Sequence, residues 1–225
     1  MALGSLVKTL QNIMRNDAGI NGDAQRIEQM TWLFFLKIYD AKEEEWEFHD
    51  DSYKSIIPDR LRWHSWAPDA KDGNALTGDE LLDFINNNLF KTLAGLELAR
   101  DAPLRQVVVK AAFTDANNYM KDGILLRQVV NAIDDAVDFT EYKERHAFGE
   151  IYETILKDLQ SAGNAGEFYT PRAVTDFMAE MLDPKLGESV ADFACGTGGF
   201  LTSALKLLAK QVKTPANQEL YSKSI

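Results

Sequence analysis

Over the first two-thirds of the chain, apolar residues recur every three or four positions and never in alternation. That period restricts the fold class, because a face repeating near 3.6 residues closes on a helix and not on a strand. Leu6, Leu10, Ile13 and Met14 share one such face, with Ser5 as the expected N-cap. Asn16 to Gly22 breaks the pattern. A second helix is predicted from about Gln25 to Trp46, with Ile27, Met30, Phe34, Ile38 and Tyr39 inward and the acidic run Glu43 to Glu47 at its far end. Residues 48 to 76 carry Pro58, Pro68, Trp63 and Trp66 among Asp and Gly, the composition of an irregular loop pinned by aromatic rings. Thr77 and Glu80 have capping-box spacing just ahead of Leu81, Leu82, Phe84, Ile85 and Leu89, so a helix should open there. Two more are expected from about Pro103 and about Ile124. With no internal repeat, the simplest reading is a helical domain over residues 1–148.

From Ala147 the character changes. Ile151, Tyr152, Ile155, Leu156 and Leu159 make one amphipathic helix that ends in the small-residue run Ser161 to Gly166. Then come Glu167, Phe168, Tyr169, Thr170, Pro171 and Arg172, a short helix to Leu182, and a turn through Asp183 and Pro184. Thr170 would be the N-cap of that helix and Pro171 its first residue. An apolar run from Ser189 to Phe193 meets the glycine turn Gly196, Thr197, Gly198 and Gly199, and a helix follows from Phe200 to about Lys210. The order is strand, glycine loop, helix. The chain as a whole should be mainly α, since a single strand has no partner in it.

Charge and composition narrow the function. The 24 basic and 35 acidic side chains leave a net charge of −11, about −9 of it before residue 151 and −2 after. A phosphate-binding surface usually needs the opposite sign, so this chain is not the main grip on a nucleic acid. Cys195 is the only cysteine, and His49, His64 and His146 do not stand at zinc-ligand spacing, so no metal site is expected. The longest apolar run, Trp32 to Leu36, is far short of the roughly 20 residues a membrane span needs. The amino terminus lacks a secretory apolar core, which gives a cytoplasmic expectation.

A strand that feeds a helix through glycines lets backbone approach a ligand and points N–H groups at it. The loop here has neither the lysine of a phosphate-cradling loop nor the spacing of a dinucleotide fingerprint, which disfavours ATP and NAD. Asp192 at the strand end can accept hydrogen bonds from an amino-acid ammonium group, which S-adenosylmethionine has and NAD lacks. Its bland alternative is a solvated strand end beside a tight turn. Phe168 and Tyr169 can flank an adenine ring, and the helix start beyond them can receive a carboxylate.

Gly166 to Arg172, followed by Asp192-Phe193-Ala194-Cys195-Gly196-Thr197-Gly198-Gly199-Phe200-Leu201, resembles the paired cofactor motifs of the modification subunits of type I restriction-modification systems. Gly149 to Glu153 is similar to the helix before those motifs, and Phe34 to Asp40 to the family's helical amino-terminal domain. The resemblance implies residues 149–225 as the truncated start of a Rossmann-like α/β methyltransferase domain. It implies S-adenosylmethionine as cofactor, held by Glu167, Phe168, Tyr169, Thr170, Pro171, Arg172, Asp192, Gly196, Thr197, Gly198 and Gly199. The activity implied is methyl transfer to adenine N6 in double-stranded DNA. The partners implied are a specificity subunit and a restriction subunit, with two modification subunits per assembly. One departure is Phe193, where many relatives carry proline. Cys195 is given no catalytic role, since methyl transfer to an amino group needs no thiol.

In the family an Asn-Pro-Pro-aromatic tetrapeptide holds the flipped adenine. The prolines here, at 58, 68, 103, 171, 184 and 215, include no adjacent pair. Nor does an acidic residue stand after a second apolar strand, where related sites bind the ribose; Glu219 lies in a polar stretch. No catalytic residue is therefore assigned, and the 225 residues alone are expected to be inactive. The alternative is a helical assembly module with a vestigial cofactor loop.

Overall fold

In the computed structural model, residues 3–69, 75–100, 102–136, 170–195 and 198–223 are described. The chain divides into two compact units, Met1–Asn164 and Ala165–Ile225. The described residues of both are mainly helical, as the sequence predicts, and contain no strand. Among the described residues, no helix is long and apolar enough to cross a membrane.

The first unit is organised by α2 (Asp23–His49), which follows α1 (Leu3–Met14). At 27 residues α2 spans about 40 Å. Met30, Trp32, Leu33, Phe34, Leu36 and Tyr39 are all buried on it. These residues cover more than one stripe, so α2 is a core helix with neighbours on several sides. After it come a 3-10 turn (Asp59–Leu61), α3 (Trp63–Trp66), α4 (Gly78–Asp83), a π-helical segment (Phe84–Leu89), α5 (Phe90–Ala94), α6 (Leu104–Thr114) and α7 (Gly123–Ala136). Aromatic edges join α2 to α5 and α6. Trp32 meets Phe90 at 5.0 Å, and Phe113 meets both Phe90 (5.5 Å) and Phe35 (5.9 Å). Such pairs favour one packing over other apolar arrangements by about 0.5–1.5 kcal/mol each.

Two predicted caps are not made. Ser5 lies inside α1, and α4 begins after Thr77 as expected, but Thr77 makes no side-chain cap hydrogen bond. The cap that does form is Asp122, whose Oδ1 accepts the N–H groups of Ile124 (2.8 Å) and Leu125 (3.1 Å) at the start of α7. At the other end of α7 the Lys37 ammonium donates to the carbonyls of Ile133 and Asp134 at 3.0 and 2.7 Å. A cation there complements the helix dipole.

Residues 50–69 are pinned by Trp63 and Trp66, as their composition predicts, with two short helical turns inside them. The stronger tie is ionic. Asp40, Glu43, Glu44 and Glu47 follow one face of α2. Arg62 Nε donates to Asp40 Oδ1 at 2.7 Å and lies 3.8 Å from Glu43, and its Nη1 donates to Glu47 at 2.9 Å. Burial works against the Arg62 charge, but the hydrogen bonds to Asp40 and Glu47 outweigh it and hold the guanidinium above its ordinary pKa. Glu43 is fully buried and accepts from Ser55 Oγ (2.6 Å) and the Ile56 N–H (2.6 Å). The acidic run is therefore the anchor of the 53–64 segment and not a solvated helix end.

In the second unit α8 (Arg172–Leu182), α9 (Gly199–Gln211) and α10 (Pro215–Lys223) follow one another. The helix expected over 151–159 lies outside the described residues. Ser189 to Phe193 forms no strand, because a strand exists only through backbone pairing and none is available to it among the described residues.

Candidate functional site

The two sequence motifs meet where α8 and α9 begin. Pro171 is the N-cap of α8 with φ −56° and ψ 142°, and Thr170 lies one residue earlier, so both stand one position from where the sequence places them. Arg172, the first helical residue, donates from Nη1 to the Gly199 carbonyl at 3.2 Å. Farther along, Ser203 of α9 donates to Asp176 Oδ1 of α8 (2.5 Å) and sits 3.0 Å from Thr175 Oγ1. Thr175, Ala179, Ser203 and Ala204 are all buried, and their small side chains allow the two helices a close approach. Thr175, Asp176 and Ser203 are thus the positioning residues that the sequence reading missed. The available signal was a polar or small residue on the otherwise apolar faces of two successive helices.

The glycine turn precedes α9. Gly198 has φ +74°, a left-handed conformation that disfavours a side chain, and it is the N-cap of α9. Its N–H donates to the Cys195 carbonyl at 2.7 Å, and its own carbonyl accepts from the Thr202 N–H at 2.8 Å. Glu167, Phe168, Tyr169, Gly196 and Thr197 lie outside the described residues.

Asp192 stands just ahead of the turn. Its Oδ1 accepts the Ala194 N–H at 3.0 Å, an Asx-turn, while Oδ2 is buried with no hydrogen-bond partner among the described residues. Phe193 is fully exposed, and the Asx-turn bends the chain there. A buried carboxylate oxygen without a donor is costly, and it fits an ammonium or N–H donor brought by a ligand.

Among the described residues, the one acidic cluster elsewhere does not make a second site. Asp40, Glu44 and His64 place one ligand atom each within 4.8 Å of one another. Both Asp40 oxygens are already committed, Oδ1 to Arg62 and Oδ2 to the His64 N–H (2.8 Å) and ring Nδ1 (2.9 Å). The Arg62 cation is the counter-charge there.

Comparison with known proteins places the chain. Residues 3–133 match the model of the HsdM N-terminal domain, and residues 143–225 that of the N-6 DNA methylase. The EcoEI methylase subunit of Escherichia coli, a type I restriction enzyme component, is 58% identical over 91% of this chain and 41% of its own length. A modification subunit of a putative type I restriction enzyme from Vibrio vulnificus YJ016 superposes with a TM-score of 0.85 at 40% identity, over 97% of this chain and 48% of its own. A chain from a structure of type I restriction-modification complex assembly and conformational transition superposes at 0.76 and 31% identity, over 98% of this chain and 43% of its own. This chain thus spans less than half the length of these relatives. With matching models over both parts of its length and this degree of identity, the chain belongs to the family of type I restriction enzyme methylase subunits.

Proposed function

We propose that the second unit carries the cofactor half of an adenine-N6 DNA methyltransferase site, and that the whole protein methylates double-stranded DNA in complex with a specificity subunit. The observation that carries this reading is Asp192, with one carboxylate oxygen accepting the Ala194 N–H and the other buried without a donor among the described residues. S-adenosylmethionine would supply an electrophilic methyl group on its sulfonium sulfur. Asp192 Oδ2 would accept from the ammonium of its methionine end, and the N–H groups opening α8 and α9 would receive the carboxylate. Arg172 would hold the two helix starts in register through Gly199. Thr170, Pro171, Gly198 and Gly199 would shape that pocket, with Glu167, Phe168, Tyr169, Gly196 and Thr197 completing it around the adenine.

The acidic net charge of −11 assigns the grip on DNA to other parts of the assembly. This division of labour fits a cytoplasmic complex in which two modification subunits flank the specificity subunit and a restriction subunit joins them. The 225 residues contain no Asn-Pro-Pro, so the base would be held by residues outside them, and this chain alone is proposed to be inactive.

Equilibrium dialysis with labelled S-adenosylmethionine tests the site. Asp192→Ala is expected to weaken binding about tenfold or more, the value of a charge-assisted hydrogen bond of about 1.5–3 kcal/mol. Asp192→Asn should retain part of the affinity. Equal affinity in all three proteins would place the cofactor elsewhere.

A further inference from the structure

The first turn of α9 is fixed more tightly than a helix start needs. The Gly198 carbonyl accepts twice from Thr202, from its N–H at 2.8 Å and from its Oγ1 at 2.7 Å. The first of these bonds belongs to any α-helix, and the second is added by the side chain. The Gly198 N–H donates to the Cys195 carbonyl at 2.7 Å, so both polar groups of this left-handed glycine are committed within the chain. The N–H groups of Gly199, Phe200 and Leu201 are the orphan donors of this helix start, and they take no backbone partner among the described residues. A carboxylate arriving here meets donors, while the Gly198 carbonyl is already held by Thr202.

A second set of bonds fixes the same turn from α8. Arg172 Nη1 donates to the Gly199 carbonyl at 3.2 Å, and Thr175 Oγ1 donates to the Arg172 carbonyl at 3.1 Å. One turn into α9, Ser203 Oγ donates to Asp176 Oδ1 at 2.5 Å. Ser203 is buried and Asp176 half-buried, so this bond lies in the contact between the two helices. Apolar helix faces pack in several settings of similar energy, whereas a buried hydroxyl must find its acceptor and so selects one. Thr202, Ser203 and Asp176 all lie outside the two cofactor motifs of the sequence.

We infer that Thr202, Ser203 and Asp176 are positioning residues for the amino-acid end of the cofactor. Thr202 acts through Gly198, and the pair of Ser203 and Asp176 sets α9 against α8, so that the donors at the two helix starts keep one spacing for one carboxylate. None of the three touches the cofactor, and the adenine end does not depend on them. The inference rests on the proposed cofactor site. It concerns residues of this chain alone, so the full 225-residue chain tests it without the carboxy-terminal remainder of a methylase subunit.

The test is equilibrium dialysis of labelled S-adenosylmethionine, with 5′-methylthioadenosine as competitor. The competitor keeps the adenine, the ribose and a thioether and lacks the amino-acid end. Ser203→Ala and Asp176→Ala are each expected to weaken S-adenosylmethionine about three- to tenfold, the range of one hydrogen bond, and to leave 5′-methylthioadenosine unchanged. Combined, they should weaken it no further than either alone, because both remove the same bond. Asp176→Asn keeps an oxygen acceptor for Ser203 and should bind as the unaltered chain does. Thr202→Val keeps the branched shape without the hydroxyl and should lose about threefold for S-adenosylmethionine only. A loss of the same size for both ligands overturns the inference, because the pair would then hold the unit together and not the amino-acid end. So does S-adenosylmethionine affinity that is unchanged in every variant. Failure of the unaltered chain to take up S-adenosylmethionine is a separate result, which overturns the proposed cofactor site and this inference with it.

Discussion

Arg62→Leu is expected to destabilise the helical unit by about 3–5 kcal/mol, the cost of leaving buried carboxylates without their counter-charge. Arg62, Asp40 and Glu43 are all buried, and Arg62 brings a positive charge to Asp40, Glu43 and Glu47 on α2 from the segment that carries Trp63 and Trp66. Leucine fills part of the volume but cannot donate to Asp40. All four tryptophans lie between residues 32 and 66, so urea unfolding followed by tryptophan fluorescence reads this unit selectively. Adding Asp40→Asn and Glu43→Gln to the Arg62→Leu chain should recover part of the loss, because the neutral amides remove the unpaired charges. If the added pair deepens the loss, burial of charge is not the cause.

Gly123→Ala is the second large effect, expected at about 3 kcal/mol, the upper part of the usual range for overpacking. A Cβ at position 123 would lie 1.9 Å from the Gly78 carbonyl oxygen and 2.4 Å from its carbon. Both are backbone atoms, so no rotamer change relieves the clash, and the starts of α4 and α7 must separate. Alanine gains at most about 1 kcal/mol of helix propensity over glycine, which does not offset this. A fall in the urea midpoint at unchanged slope would show it, whereas an unaltered midpoint would mean that the two helix starts do not cross so closely.

Helices were legible in the sequence because their signal is local. The three-and-four spacing of α1, α2 and α7 is present in any window of a dozen residues, and so is the proline that precedes α6. Capping was less legible. Ser5 and Thr77 are suitable residue types, but a cap needs a particular backbone direction, and Asp122 has it where they do not. The ionic face of α2 was readable in principle, since positions 40, 43, 44 and 47 fall on one side of a helix. Nothing local said that Arg62 would return to it.

The candidate site divides in the same way. Asp192 and the glycines announce themselves by type and order, whereas the contact of Ser203 with Thr175 and Asp176 joins residues 27 and 28 positions apart. The apolar run 189–193 reads as a strand in sequence and forms none among the described residues, because a strand is a property of a pair. Its side chains carry the period, but its backbone needs a neighbour.

The central claim is that these residues hold the cofactor half of an adenine methyltransferase and not the half that holds the base. Its most direct measurement is transfer of tritium from methyl-labelled S-adenosylmethionine to DNA in the presence of a specificity subunit, with the product nucleosides separated. No label is expected with the chain alone, and N6-methyladenine is expected once the carboxy-terminal remainder is added. Label in DNA from the chain alone, or label on cytosine in the completed complex, would contradict it.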